Sequence, residues 1–410
     1  MGTKIAVVGL GYVGLPLALR SVECGYECIG IDSSPTRIAN LSRGQSFTKD
    51  VKNEVLRRAL ASGFSVSDSP EVVAQCQVVV VCVPTPLDDQ HEKPDLGPVL
   101  KAMSEVAKCM RTGTLVILES TVAPGTTEGP VLDLFLAQGL ELDKDFFLAY
   151  SPERINPGSG SHDLHEIPKI VSGCSSESLR RAALFYEKLV DEVVTVAGTK
   201  EAEFAKLLEN TYRLVNVSLV NELALAAHEM GIDFQEVTRA AATKPYGFHP
   251  FFASAGAGGH CIPVDPVYLA DEISATTGFP TDVLTSAIAV NKSVPRRIID
   301  EVLTADSPLE GKRVLVVGLA YKPGISDIRN AASLGVIDQL IDRGAIIEVY
   351  DPLVEELKIG LKTFRSIKLK ENQNKFDFAV LLHPQDEEAL QLIREISKKI
   401  YTTSSRFGEI

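Results

Sequence analysis

No apolar stretch in this 410-residue sequence approaches the roughly 20 residues that a membrane-spanning helix needs. The start, MGTKIAVVGLGYVG, offers one lysine and then an apolar run, as a signal peptide does. Glycines interrupt the run and no cleavage pattern follows, so it is expected to be a first strand. None of the seven cysteines, at 24, 28, 76, 82, 109, 174 and 261, stands in a CxxC pair. The odd count and wide spacing argue against a disulfide framework and against a zinc site, and favour reduced thiols in the cytoplasm. Basic residues are outnumbered, 41 to 54, for a net charge of −13. That balance speaks against nonspecific nucleic-acid or membrane binding, although a local pocket can still take an anionic substrate. There is no short-period repeat and no low-complexity tract.

What is there is an alternation of short apolar runs and helical spacing. KIAVV at 4–8, ECIGI at 27–31, QVVVVCV at 77–83, TLVIL at 114–118, FFLAY at 146–150 and KIVS at 169–172 read as parallel strands covered on both faces. Near Lys200 the texture changes: EAEFAKLLENTYRLVNVSLVNELALAAHEMG runs about 30 residues with no proline, and no glycine before Gly231. That length predicts a helical spine or an oligomer interface. A shorter helix is expected at 282–292, ahead of Pro295. From Gly311 a third texture begins, with strand-like runs in GKRVLVVGLAYKPG, in AIIEVYD at 345–351 and in FDFAVLL at 376–382. The expected fold is α/β: two Rossmann-like doubly wound domains, 1–199 and 311–410, joined by a long central helix within 200–300. The polar end YTTSSRFGEI is expected to be disordered.

Gly9, Leu10, Gly11, Tyr12, Val13 and Gly14 form GxGxxG between a strand and a helix, and Asp32 ends the next strand. Gly9 permits the tight turn, Gly11 lets backbone approach a pyrophosphate, and Gly14 lets helix and strand pack closely. The helix amino terminus offers free N–H groups to the phosphates. Asp32 would accept from the ribose hydroxyls and repel a 2′-phosphate, so NAD is favoured over NADP, a preference that Arg37 tempers. The similar turn at Gly318–Gly324 lacks the second glycine. A phosphate-bearing ligand near Lys322 suits it better than a second NAD.

GGHCIPVDP at 258–266 raises the question of Cys261. Flanking glycines suggest close backbone approach to a ligand. A nucleophile, a buried structural thiol and a metal ligand all remain open, although His260 and Asp265 make poor partners for a metal. Lys206 and Asn210, four residues apart, share a helix face and could stabilise an oxyanion. The plain alternative is a solvated face, with Glu203 and Lys206 a surface pair.

Taken together, the chain resembles the nucleotide-sugar 6-dehydrogenases, the UDP-glucose and UDP-N-acetylhexosamine dehydrogenase family. The resemblance is carried by GLGYVG with Asp32, VPTP at 83–86, ESTVAPGTT at 119–127 and YSPERINPG at 150–158. AEFAKLLEN at 202–210, GGHCIPVDP and GLAYKPGISDIR at 318–329 complete it. It implies a twofold NAD-dependent oxidation of a sugar C6 alcohol, with Cys261 as nucleophile, Lys206 and Asn210 at the oxyanion and Asp265 activating water. Glu153 and Thr121 would bind or activate the water network. Thr85 and Thr121 would line the cofactor site beside Gly9, Gly11, Tyr12, Val13, Gly14, Asp32 and Arg37, and Arg329 would reach the cofactor. Glu153, Arg154, Lys206, Asn210, Lys244, Phe252, Gly258 and Lys322 would meet the substrate. A homodimer through the central helix is implied; nucleic acid, membrane and metal are not.

The loop TKPYGFHPFFASAGAGGHCIP lacks the prolines usual before GGHC, which should loosen its backbone. NAASLG after Arg329 also departs from the usual run. The loop resembles that of the branch acting on UDP-N-acetylhexosamines, and this resemblance implies UDP-N-acetylglucosamine first, then UDP-N-acetylmannosamine, then UDP-glucose, on the way to surface polysaccharide. A single-step β-hydroxyacid-type dehydrogenase would need neither the thiol nor a third α/β domain, and a nonenzymatic binder would need no nucleophile.

Overall fold

A computed structural model describes residues 3–48, 50–88, 92–155, 163–306, 308–402 and 408–409. The chain divides into two compact units, Met1–Glu209 with Asp271–Thr277, and Asn210–Ala270 with Gly278–Ile410.

The first unit is built on eight strands: β1 (Lys4–Val8), β2 (Glu27–Ile31), β3 (Phe64–Ser67), β4 (Val78–Val81), β5 (Thr114–Leu118), β6 (Phe146–Tyr150), β7 (Lys169–Gly173) and β8 (Val193–Thr195). Their order in the sheet is β3-β2-β1-β4-β5-β6-β7-β8. Successive residues of a strand point to opposite faces. Ile5, Val7, Leu115 and Ile117 therefore enter one core, and Ala6, Val116 and Leu118 the other. With helices on both faces no strand position needs to be polar, hence the unbroken apolar runs. One pairing differs from expectation. β7 lies antiparallel to β6, with Tyr150 opposite Ser172. A parallel return needs a crossover, usually a helix, and among the described residues between these strands only Leu164–Glu166 forms a short 3-10 turn.

The long helix spans Thr199–Glu229. It stops at Gly231, whose φ is +70°. The Gly231 amide donates to His228 O at 2.9 Å and the Ile232 amide to Ala227 O at 2.8 Å, the paired bonds of a Schellman end.

In the second unit β9 (Arg313–Val317) pairs with β10 (Ile346–Tyr350), β11 (Glu356–Ile359) and β12 (Lys362–Arg365) form a separate hairpin, and β13 (Phe378–Leu381), β14 (Ile400–Thr402) and β15 (Gly408–Glu409) extend the sheet. The sheet order is β10-β9-β13-β14-β15. Again alternate residues divide: Val314 and Val316 face one core, Leu315 and Val317 the other.

Two further expectations change. The helix expected to end before Pro295 runs from Asp282 to Asp306 with Pro295 inside it. An interior proline costs about 3 kcal/mol. Here its ring packs on Gly335 of the neighbouring helix Ala332–Asp342, so closely that a Cβ on Gly335 would lie 2.9 Å from Pro295 Cβ. That packing offsets the lost hydrogen bond. The polar carboxy-terminal segment, expected to lack structure, supplies Tyr401 and Thr402 to β14, paired antiparallel with Glu409 and Gly408; residues 403–407 and 410 lie outside the described residues.

The echo between GLGYVG and GLAYKPG is physical. Gly9 N donates to Ile31 O at 2.7 Å and Gly318 N to Tyr350 O at 2.9 Å. Leu10 N donates to Asp32 at 2.9 Å and Leu319 N to Asp351 at 2.7 Å. The turns then part: a helix starts at Gly14 after the first, but only at Ala332 after the second.

Candidate functional site

In the first unit the motif residues follow the carboxyl ends of adjacent strands: Gly9 after β1, Asp32 after β2, Thr85 after β4, Thr121 after β5 and Glu153 after β6. That edge, where the strand order reverses between β1 and β4, is where doubly wound sheets bind ligands. Ser120 ties two of these ends together, its hydroxyl donating to Val83 O at 2.8 Å. Thr85 and Thr121 on either side are half-buried.

The three glycines of the turn are glycine for different reasons. Gly9 has φ +93° and a Cβ there would lie 2.5 Å from Cys82 O. A Cβ on Gly14 would lie 2.0 Å from Gly9 O. On Gly11 it would meet no protein atom within 4 Å. Protein packing thus demands the first and third, while the second leaves a cradle that a methyl group would fill. This fits a dinucleotide whose pyrophosphate lies against the backbone at the helix start. We expect Gly14→Ala to lose about 1–3 kcal/mol of stability through overpacking, at least about 2 °C in Tm. Gly11→Ala should keep the wild-type Tm while NAD affinity falls at least about tenfold; thermal melts and NAD titration of both variants check the contrast.

Asp32 is buried and fully engaged. It accepts from Leu10 N and Ser34 N, each at 2.9 Å, and from the Arg37 guanidinium at 2.9 Å. Arg37 in turn lies 4.8 Å from the Phe47 ring centroid, and Tyr12 meets the same ring edge-on at 5.7 Å. Phe47 carried no motif and escaped sequence reasoning.

Glu153 is buried after β6, and its carboxylate accepts from the Ile155 amide. Burial pushes its carboxyl up, opposed by the cations of Lys206 and Lys169. Arg154 is committed elsewhere: it grips Glu209 at 2.7 and 3.3 Å and donates to Pro168 O at 2.6 Å. The residues INPG at 155–158 lie outside the described residues from 156 on.

The long helix does not present a solvated face at Lys206 and Asn210, which are 6% and 8% exposed. Nor is Glu203 half of a surface pair. It is fully buried and accepts from Gly125 N at 2.6 Å, Thr127 N at 2.8 Å and Thr127 Oγ1 at 2.6 Å. Burial pushes its carboxyl up to about 7 against those donors. Glu203 therefore anchors the segment after EST to the helix that carries Lys206. The glutamate three residues before a lysine gave no hint of this.

In the second unit Asn210 Nδ2 donates to Asp265 Oδ2 at 2.5 Å, with both side chains buried. Asp265 opens the helix Asp265–Thr277, and its amide donates to Cys261 O at 2.8 Å. Cys261, half-buried, thus sits in the turn feeding that helix. Protein packing by itself requires the glycines before it. A Cβ on Gly258 would lie 2.7 Å from Asn330 O, and one on Gly259, at φ +86°, would lie 2.9 Å from the Tyr321 ring. Gly259 N donates to Arg329 O at 2.9 Å, and Asn330 Nδ2 donates to Gly259 O at 3.0 Å. The Arg329 guanidinium pairs with Asp327 at 2.5 Å and meets His260 Nδ1 at 3.0 Å. The segment 321–330 therefore cradles the GGHC turn. Lys322 is half-buried, its ammonium 5.8 Å from the Tyr321 ring. Lys244 and Phe252 are exposed, the former 5.0 Å from the Tyr246 ring. Their loop is tied to the long helix where Tyr212 Oη meets His249 Nδ1 at 2.6 Å. Among the described residues no three His, Cys, Asp or Glu side chains could hold a metal ion, and no helix is long and apolar enough to cross a membrane.

Comparison with known proteins matches this arrangement to one family over nearly the whole chain. Three models of the UDP-glucose/GDP-mannose dehydrogenase family match: the NAD binding domain over residues 3–190, the central domain over 200–293 and the UDP binding domain over 315–403. A UDP-N-acetyl-D-glucosamine 6-dehydrogenase of Pseudomonas aeruginosa is 39% identical over 368 residues, 86% of this chain and 83% of that one. A UDP-D-ManNAc dehydrogenase structure from Pyrococcus horikoshii superposes with a TM-score of 0.85 at 29% identity, covering 98% of this chain and 95% of that one. A UDP-glucose dehydrogenase structure from Pyrobaculum islandicum gives 0.86 at 25% identity, covering 98% and 94%. The chain therefore belongs to the UDP-glucose/GDP-mannose dehydrogenase family, as an oxidoreductase whose cofactor is NAD.

Proposed function

We propose that the chain oxidises the C6 alcohol of a UDP-N-acetylhexosamine to the carboxylate in two steps, UDP-N-acetylglucosamine before UDP-N-acetylmannosamine. UDP-glucose is the alternative. The sugar assignment rests on the Pseudomonas relative. The chemistry rests on the buried Asn210–Asp265 bond at the start of the helix that follows Cys261.

The turn at Gly9, Gly11 and Gly14 would hold NAD+, which would supply the hydride acceptor for both oxidations, one molecule for each. In the first, the C6 hydroxyl proton leaves through water held by Glu153 and Thr121, and the C6–H bond breaks to give an aldehyde. The Cys261 thiolate then adds to the aldehyde carbon. Lys206 and Asn210 stabilise the resulting oxyanion by donating to it, the largest single term in most acyl chemistry. Loss of the second C6 hydrogen leaves a thioester on Cys261. Asp265 takes a proton from water, whose oxygen attacks the thioester carbon; the C–S bond breaks and the thiol is regenerated with a carboxylate product.

Residues 1–199 hold the cofactor in this reading, 200–300 dimerise and 311–410 hold the UDP. The long helix supports the dimer. Phe204, Leu208, Tyr212, Leu219 and Leu223 are 40–54% exposed at spacings that share one helix face. An apolar stripe of this kind is a contact surface in waiting.

NADH released at completion from limiting UDP-N-acetylglucosamine tests the reading. Two NADH per sugar are expected. Two from UDP-N-acetylmannosamine or UDP-glucose and none from this sugar would reverse the ranking, and one per sugar would sink the thioester.

A further inference from the structure

The reaction as written leaves a group of buried side chains in the first unit without a task. Glu119, 2% exposed, closes β5. One of its oxygens accepts from Lys169 Nζ at 3.0 Å and from the Tyr186 hydroxyl; the other faces Cys82 Sγ at 3.9 Å. Lys169 Nζ also donates to Pro152 O at 3.1 Å, the carbonyl directly ahead of Glu153, and lies 5.1 Å from the Tyr186 ring centroid. Glu119, Glu153, Lys169 and Tyr186 line one cavity with Val13 and Leu17, which belong to the dinucleotide turn and its helix.

An ion pair this deep is a poor source of stability, because desolvating both ions offsets most of their attraction. In a low dielectric, however, it acts strongly on neighbouring charges. The group acted on is Glu153. It is faced by Lys169 from β7, Glu119 from the end of β5 and Lys206 from the long helix. Tyr186 and Cys82 complete the surroundings, both held neutral: burial first, then the Glu119 carboxylate, pushes each well above its ordinary range.

We propose that Lys169 is a positioning residue for Glu153. It fixes the peptide that carries Glu153 through the Pro152 carbonyl, and with Glu119 it balances the charge beside the Glu153 carboxylate. This rests on Glu153 handling protons in the oxidation, as set out above. The cation favours the ionised carboxylate and the Glu119 anion disfavours it, so the two partners act with opposite sign.

The sign gives the test: pH profiles of kcat and kcat/KM for full-length wild type, Lys169→Met, Lys169→Arg, Glu119→Gln and Glu153→Gln. Lys169→Met should lower kcat about 10–100-fold, leave KM for sugar and NAD+ within about threefold, and move the acidic limb up by about one pH unit. Lys169→Arg should restore most of both. Glu119→Gln should move the same limb down. Limbs that stay in place, or that move the same way in both neutralised variants, overturn the proposal and leave Lys169 a structural residue. Should Lys169→Met not fold, Glu119→Gln and Lys169→Arg still decide it. Full turnover by Glu153→Gln would instead remove the premise about Glu153; an inactive Glu153→Gln with unmoved limbs in the other variants defeats only the proposal for Lys169.

Discussion

Replacing Cys261 with serine should cut steady-state NADH production at least about 10³-fold while NAD and UDP-sugar binding stay within about threefold. The size follows from the chemistry. A serine hydroxyl is neutral at working pH and a far weaker nucleophile than a thiolate. The oxyester it could form is also harder to hydrolyse than a thioester. The binding expectation follows from the fold. The turn around Cys261 is held by backbone bonds from Val264 and Asp265 to its carbonyl at 3.0 and 2.8 Å, and by the Tyr321 and Asn330 contacts to Gly258 and Gly259. None of these uses the sulfur, so serine should leave the turn in place. A single-turnover experiment sharpens the test. Rapid mixing with excess enzyme and NAD+ should show some first-step NADH in the serine variant and little of the second. Wild-type steady-state turnover by Cys261→Ser would exclude the covalent route.

The second large effect is expected at Lys206. Lys206→Ala should lower kcat about 10²–10³-fold, the loss found when one oxyanion donor is removed from a preorganised site, with KM for the sugar changed much less. An ammonium on a solvated helix face would give no such result, since its field would be screened within a Debye length. At 6% exposure Lys206 is not in that regime. The same variant carries a second readout. Lys206 is the larger of the two cationic influences holding down the carboxyl of Glu153, which burial pushes up. Glu153 must be ionised to accept a proton, so its activity is present above its folded pKa and lost as pH falls through it. Removing Lys206 raises that pKa, and the acidic limb of the profile should move upward. A fall in kcat of less than about threefold with an unmoved limb would make Lys206 a bystander.

Much of this was legible in the residues. GLGYVG between a strand and a helix named the dinucleotide turn, because the geometry of a tight turn, a close helix and a phosphate each requires glycine at a fixed place. The unbroken valine runs of β4 and the mixed apolar runs of β1 and β5 announced a sheet covered on both faces, and both cores are there. The absence of proline and glycine from 200 to 229 foretold the long helix, and Gly231 its end.

What the local sequence did not show depended each time on a partner distant in sequence. Pro295 reads as a helix end until Gly335 is seen to leave room for its ring. Glu203 beside Lys206 offers a surface pair as its plain alternative, yet its carboxylate serves Gly125 and Thr127, 78 and 76 residues away. Glu119 and Lys169 carry no spacing that links them, although they meet at 3.0 Å. Local sequence thus determined the dinucleotide turn, the apolar strands and the long helix, and singled out Cys261 as a candidate, since these depend on backbone conformation and periodicity over a few residues. Only the tertiary structure decided which charges are buried and what each one faces, because a charge becomes functional or merely solvated according to the dielectric and the partners that long-range packing brings to it.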